Sequence, residues 1–243
     1  MMKIDLNCDV GESFGRYRLG DDEALLPLVT SANIACGFHA GDPLVIGRTV
    51  RLAARLGVGV GAHPGYPDLQ GFGRREMALA PEEVEALVLY QVSALAGFAR
   101  EAGVEVAHVK PHGALYNQAA TDRMLAEAIV RGVGGFSRNV ILVGLAESEL
   151  VAAGVEAGLR VASEGFPERG YNADGTLMSR KLPGAMIDSP TEAAANTVRL
   201  AKSGRIQTLC IHGDNPMAVE IAEAVREELT ANGIEIEVMG KFL

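Results

Sequence analysis

Tryptophan is absent from this chain of 243 residues, aromatic residues make up only 5%, and cysteine occurs three times. So few aromatics disfavour the stacking platforms that bind single-stranded nucleic acid. Cys8, Cys36 and Cys210 are widely spaced and form no CxxC pair, which argues against a disulfide scaffold or a structural zinc site. Positive charge is also scarce: Lys+Arg number 22 against 31 Asp+Glu, a net charge of −9 with histidine neutral. A broad nucleic-acid-binding face is therefore disfavoured, although a local cationic pocket is not. No run approaches the roughly 18 apolar residues of a membrane span. The opening MMKIDLNCD carries acidic residues where a signal peptide would need an apolar stretch of about 7–15 residues, so a soluble cytoplasmic protein is expected. There is no GxxxxGK[ST] phosphate loop and no kinase signature, so any nucleotide would bind unconventionally.

What is present is a globular composition, 48% hydrophobic and 22% charged, in a length that fits one domain over residues 1–243. Short apolar runs alternate with segments of helical period. The strand-like runs are 3–8, 29–36, 58–62, 104–110, 140–143, 159–163 and 207–211, with 234–238 as a possible eighth. Several are nearly continuous in Val, Ile, Leu and Ala, as strands covered on both faces are. Helix starts are marked by Asp42-Pro43, Pro81-Glu82-Glu83, Ser189-Pro190-Thr191-Glu192 and Asn215-Pro216, and helix ends by Gly57, Gly103, Gly204 and Gly233. Leu125, Ile129 and Val133 recur at the spacing of one buried helix face. Such alternation builds an open doubly wound sheet or a closed barrel. The polar segment Asn7-Cys8-Asp9-Val10-Gly11-Glu12 after the first run suits no dinucleotide turn, so a parallel α/β barrel of seven strands is expected.

The residues that follow the runs carry the chemistry. The first ends in Asn7, Asp9 and Glu12, the second in His39 and Asp42, and the third in His63 and Asp68. The fourth ends in Lys110 and His112 with Tyr116-Asn117 close behind, the sixth in Glu164 with Glu168-Arg169 beyond, and the seventh in His212 and Asp214. Strand C-termini share one face in a parallel barrel, so these groups should converge there as an active site. A lysine beside carboxylates at an apolar strand end is costly unless paired or working. Together Asp9, Glu12, Lys110 and His112 supply acid, base and electrostatic clamp. Histidines with an aspartate would also suit a divalent metal, although their dispersed spacing leaves that open. Several residues have plainer readings: Asp42 as a helix cap, Asp68 as a turn residue, His108 as a core histidine, and the cysteines as packing. Asp214 is either a cap or a site group. The polar, glycine-rich segment 165–180 reads as a solvated loop or as a substrate lid bringing Arg169 and Arg180 to phosphate.

The stretches MKIDLNCDVGESFGRYRLGDDEALLPLVTSANIACGFHAGDP, GAHPGYPDLQGFGRR, VKPHGALYN, SEGFPERGYNADGTLMSR and IHGDNP resemble the LamB/YcsF family, the A component of the bacterial ATP-dependent 5-oxoprolinase, over essentially the whole chain. The resemblance implies a seven-stranded barrel related to sugar hydrolases and deacetylases. It also implies hydrolytic opening of the 5-oxo-L-proline lactam to L-glutamate, ATP as co-substrate, and subunits B and C as partners. Within that reaction Asp9 or Glu12, with His112, would activate water and move protons, and Lys110 would stabilise phosphate or oxyanion charge. Asn7, His39, His63, Glu164, His212 and Asp214 would line the substrate pocket, and Arg169 would hold the substrate carboxylate. Two other readings remain open: a metal-dependent amide or N-acetyl hydrolase acting alone, and a lactam-binding component without chemistry of its own.

Overall fold

The computed structural model describes residues 2–243. Its strands are β1 (Met2–Val10), β2 (Ser31–Ala35), β3 (Gly59–His63), β4 (His108–Val109), β5 (Ile141–Leu145), β6 (Arg160–Gly165), β7 (Thr208–His212) and β8 (Ile234–Ile236). The helices are α1 (Asp22–Leu25), α2 (Pro43–Leu56), α3 (Pro81–Glu101), α4 (Gly113–Ala119), α5 (Arg123–Phe136), α6 (Glu149–Glu156), α7 (Pro190–Lys202) and α8 (Ala218–Ala231). Strands β2 to β7 pair in sequence order, β7 pairs with β1, and β1 pairs back with β2. The expected seven-stranded parallel barrel is thereby closed. The eighth strand exists but lies outside the closure: β8 pairs with Met2–Ile4 of β1, below the Asp5–Asp9 stretch that β7 takes.

The first strand shows why a barrel forms. Ile4, Leu6, Cys8 and Val10 face the helices and join the large apolar cluster between sheet and helix layer. Asp5, Asn7 and Asp9 point the other way, into the lumen, as the two-residue strand period requires. The lumen is apolar only in patches, such as Ile141, Val143 and Ala162 against Met239. Elsewhere it is polar and largely hydrogen-bonded within itself, with His108 Nδ1 left unpartnered. At the floor Asp5 accepts hydrogen bonds from Ser31 Oγ (2.6 Å), Thr30 Oγ1 (2.9 Å), Thr208 Oγ1 (2.5 Å) and the Met239 amide (3.2 Å). Above it Asn7 Nδ2 donates to Thr208 Oγ1 and Glu164 Oε1, and its Oδ1 accepts from Asn33 Nδ2. Asn33 passes the chain up to Asp9 Oδ1 at 2.8 Å. His108 joins this layer by donating from Nε2 to Asn33 Oδ1 at 2.8 Å, the core position expected of it. Gly61 makes the room: a Cβ there would sit 2.0 Å from His108 Nε2.

Two boundaries and one burial pattern differ most from the sequence reading. The fourth strand is regular over only two residues because Pro111 cannot donate to a ladder. Single bonds from Ala107 N to Val60 O and from Lys110 N to Ala62 O still carry the chain along β3. Helix α8 begins at Ala218 rather than at Asn215-Pro216, because Asn215 Oδ1 caps a preceding turn through the Met217 amide. On α5, Ile129 and Val133 are fully buried while Leu125, near the exposed first turn, is only partly covered. The other signals match: Asp42 and Ser189 cap α2 and α7, and Glu83 accepts from the Ala80 amide at the start of α3. No helix among the described residues is long and apolar enough to cross a membrane.

Candidate active site

The strand register delivers side chains to the C-terminal rim. Asp9 on β1 lies level with His212 on β7 and with Asn33 on β2, and His63 closes β3. Beyond β4, Lys110 N and His112 N continue bonding to the β3 side at Ala62 O and Pro64 O, which holds both residues at rim height. A cavity of about 640 Å³ opens there, lined by Asp9, His63, Lys110, His112, Tyr116 and His212 at its base. Asn7, Glu12, His39, Glu164 and Asp214 do not line it; they stand one layer behind the residues that do.

Lys110 is the electrostatic centre. Its Nζ lies 2.9 Å from Asp9 Oδ1, 3.0 Å from Glu164 Oε1 and 2.8 Å from Cys210 Sγ, and all four residues are buried. Burial works to lower the Lys110 pKa, but Asp9, Cys210 and Glu164 outweigh it, and the ammonium is held well above its ordinary value. Burial likewise opposes ionisation of Asp9, yet His63 and Lys110 pull it well below the usual carboxylate range. Glu12 has the opposite fate: burial, reinforced by the Asp9 charge, pushes its carboxyl well above that range. Two neighbouring carboxyl groups are thus pushed in opposite directions, which is the arrangement that separates acid from base roles. Burial pushes the Cys210 thiol well up, so it stays protonated as a packing residue.

Three histidines stack beside this centre. His39 lies parallel on His112 with ring centroids 3.7 Å apart, and His63 stands edge-on to both. His63 Nδ1 bonds Lys110 O at 2.7 Å, His112 Nε2 bonds Phe72 O at 2.8 Å, and His39 Nε2 meets Glu12 Oε1 at 3.3 Å. Burial lowers the pKa values of His39 and His112 well below the ordinary value, and each is depressed further by a neighbouring histidine. Gly73 allows the loop to approach: it holds φ +62°, and a Cβ would sit 2.7 Å from His39 Cβ.

Across the cleft Glu168 accepts from both His212 Nδ1 and the His212 amide, leaving Nε2 toward the cavity, 4.0 Å from Asp9 Oδ2. Burial opposes ionisation of Glu168, but the His212 charge and hydrogen bonds prevail and lower its pKa. The upper wall is cationic, with Arg74, Arg169, Arg180 and Lys181. Asp214 holds Arg74 at the rim through a 2.6 Å bond to Nη2. Arg169 is not the free fork expected for a substrate carboxylate: its Nε donates to Ala185 O (3.1 Å) and its Nη2 to Met178 O (2.6 Å), tying down the long loop after β6. Asp68 stays outside the site, bracing its own turn by accepting from the Gly71 amide and Arg75.

The sequence assigns no role to Arg74 or Glu168. Both lie in polar, glycine-rich segments, and only contacts spanning 140 residues to Asp214 and 44 to His212 reveal their places. Donor atoms of Glu12, His39, His63 and His112 lie within 4.8 Å of one another, as do those of Asp9, Cys210 and His212. Imidazole and carboxylate donors of this kind suit borderline divalent metals.

Comparison with known proteins agrees with this architecture. The chain is 56% identical over 252 residues to the 5-oxoprolinase A subunit of Methylococcus capsulatus, covering 99% of this chain and 97% of that one. The crystal structure of the lactam utilization protein from Thermus thermophilus superposes with a TM-score of 0.92 at 49% identity, covering 98% of this chain and 100% of that one. The catalytic domain of a peptidoglycan N-acetylglucosamine deacetylase from Eubacterium rectale has a TM-score of 0.54 at 12% identity, over 97% of this chain and 87% of that one, a likeness of fold alone. With the LamB/YcsF family model matching residues 4–243, the chain belongs to the LamB/YcsF family.

Proposed function

We propose that this chain is the A component of an ATP-dependent 5-oxoprolinase, opening the lactam of 5-oxo-L-proline to L-glutamate in the cytoplasm together with subunits B and C. The names of relatives at about half identity support this placement, as does the cleft itself. The observation that carries the reading is the meeting of an ionised Asp9, a carboxylate-held His212 and Lys110 at the base of one cavity with a cationic wall above them. An anionic substrate is drawn to Arg74, Arg180 and Lys181, and the proton-transfer groups lie beneath it.

A lactam is a resonance-stabilised amide, and ATP supplies the activation by placing a phosphoryl group on its oxygen. The cationic wall fits both that group and the substrate carboxylate. Water adds to the activated ring carbon and loses a proton to His212 Nε2, whose imidazolium form Glu168 stabilises through Nδ1. Lys110 stabilises negative charge developing on oxygen. If phosphate left this tetrahedral centre first, the lactam would re-form and ATP would be wasted. Delivery of the His212 proton to the ring nitrogen makes the amine the leaving group instead. The C–N bond breaks, the hydroxyl proton passes to solvent, and an acyl phosphate of glutamate remains. A second water hydrolyses it to glutamate and inorganic phosphate.

Glutamate release from 5-oxoproline, assayed with and without ATP and the partner subunits, tests the assignment. Release that requires all of them supports it. Full-rate release by the chain alone without ATP replaces it with an unassisted amide hydrolase, and no release from the complete mixture removes the lactam as substrate.

A further inference from the structure

His63 and His112 face each other through ring nitrogens whose opposite sides the fold has already engaged. A backbone carbonyl can only accept, so His63 carries a hydrogen on Nδ1, toward Lys110 O, and His112 carries a hydrogen on Nε2, toward Phe72 O. In the neutral rings the other two nitrogens, His63 Nε2 and His112 Nδ1, are lone pairs, and they lie 3.0 Å apart in a buried setting. Two lone pairs at that distance repel unless a cation lies between or beside them. A carboxylate oxygen approaches each of them: Asp9 Oδ2 is 3.4 Å from His63 Nε2, and Glu12 Oε1 is 3.7 Å from His112 Nδ1. Donors bound to one ion at about 2.0–2.1 Å in a tetrahedral set are about 3.3–3.4 Å from each other, close to these separations.

Buried carboxyl groups crowd the same surroundings. Asp9, Glu12, Glu164 and Glu168 are all buried here, Lys110 contacts two of them, and Glu168 is engaged by His212. Buried carboxylates are kept by pairing or by coordinating metals. Backbone carbonyls that fix the far nitrogen of each ring are also what orients imidazole toward a metal.

The geometry points to a divalent transition-metal site in this chain, with His63 Nε2 and His112 Nδ1 as its imidazole ligands and Asp9 and Glu12 as its carboxylate arms. The donor set of imidazole and carboxylate favours zinc, cobalt or manganese over magnesium or calcium. His39 takes a supporting place: its ring lies parallel to His112 within 4° at 3.7 Å, and its Nε2 meets Glu12 Oε1 at 3.3 Å, so it acts as a positioning residue that braces the Glu12 arm. Because His63, His112 and Asp9 line the cavity, an ion held by these residues would border it and, by taking a further ligand, would supply polarisation of a carbonyl or phosphoryl oxygen. The inference stands on the isolated chain and does not rest on the lactam reading.

The test uses the full chain, stripped with a chelator and titrated with Co²⁺ or Zn²⁺ in the absence of ATP, lactam and partner subunits. One ion per chain is expected, with visible Co²⁺ absorption bands of a nitrogen–oxygen site. Saturable binding disappears in His63→Ala and His112→Ala variants that retain a native circular dichroism spectrum. His39→Asn still binds one ion, about 10–100-fold more weakly, the usual cost of losing a supporting group. Should the alanine variants not fold, ¹⁵N-histidine NMR of the wild-type chain decides: Zn²⁺ must shift His63 Nε2 and His112 Nδ1 and leave their opposite nitrogens hydrogen-bonded. A folded wild-type chain with no saturable binding, undiminished binding in the folded alanine variants, or a proton shared by the two rings that Zn²⁺ does not displace overturns the site. Ion content is read without turnover, so it succeeds or fails independently of the glutamate assay.

Discussion

Glu168 grips the Nδ1 side of His212 and its backbone amide together, so the imidazole presents Nε2 to the cavity in one tautomer. The carboxylate comes from the loop after β6 and the imidazole from the end of β7, so the contact ties these two segments together.

That pairing predicts a proton-transfer defect rather than a binding defect. His212→Asn lowers kcat by about 10²–10⁴-fold, the range of a general acid–base group. Glu168→Gln keeps substrate KM near wild type while lowering kcat, because the imidazolium loses its counter-charge. Steady-state glutamate release by the reconstituted enzyme checks both; an unchanged kcat for Glu168→Gln removes the dyad.

Lys110 separates a structural from a catalytic role. Lys110→Met leaves Asp9 and Glu164 buried without their partner, and breaking such a pair costs about 3–5 kcal/mol. Adding Glu164→Gln restores much of that stability in urea unfolding but none of the turnover. Recovery of activity along with stability shows that Lys110 serves packing alone.

Arg180 is mostly buried in the cleft wall, and burial and the nearby Arg74 charge lower its pKa. Arg180→Met raises the KM for the anionic substrate about 10–100-fold, the worth of one charged hydrogen bond at about 1.5–3 kcal/mol, with a smaller change in kcat. Initial rates over a substrate series measure the split, and an unchanged KM moves anion recognition elsewhere on the wall.

The barrel floor carries a pH dependence of its own. Burial raises the Asp5 pKa from 3.8 to about 6, against the hydrogen bonds from Ser31 and Thr208. The folded state therefore holds this proton more tightly than the unfolded chain. The stability it contributes is full below pH 3.8, falls as pH rises toward 6, and is gone above. The shift corresponds to about 3 kcal/mol. Wild-type stability should decline by that amount relative to Asp5→Asn between pH 4 and pH 7, read from urea unfolding at each pH. A constant difference shows that Asp5 keeps its ordinary pKa.

Much of the site was legible because chemistry-bearing residues in a parallel barrel fall at repeating places. Asp9, His63, Lys110, His112 and His212 each follow an apolar run, and that period alone puts them on one rim. The roles of Glu168 and Arg74 escaped because a loop has no period: nothing local says that residue 168 folds back on residue 212, or 74 on 214. Arg169 shows the converse. Its charge and its loop suggested a ligand clamp, but a loop of this length needs its own carbonyls satisfied, and the guanidinium serves them.

The sequence by itself determined the succession of strands and helices and pointed to a parallel barrel, since apolar runs and the cap residues of each helix are local properties. It also determined that polar groups gather at the strand ends. Only the tertiary structure decided which of those groups touch the cavity, which stand behind it, and that His63 and His112 turn ring nitrogens toward each other. Those outcomes depend on angstrom-scale distances between segments as much as 201 residues apart, and such distances exist only after the barrel has closed.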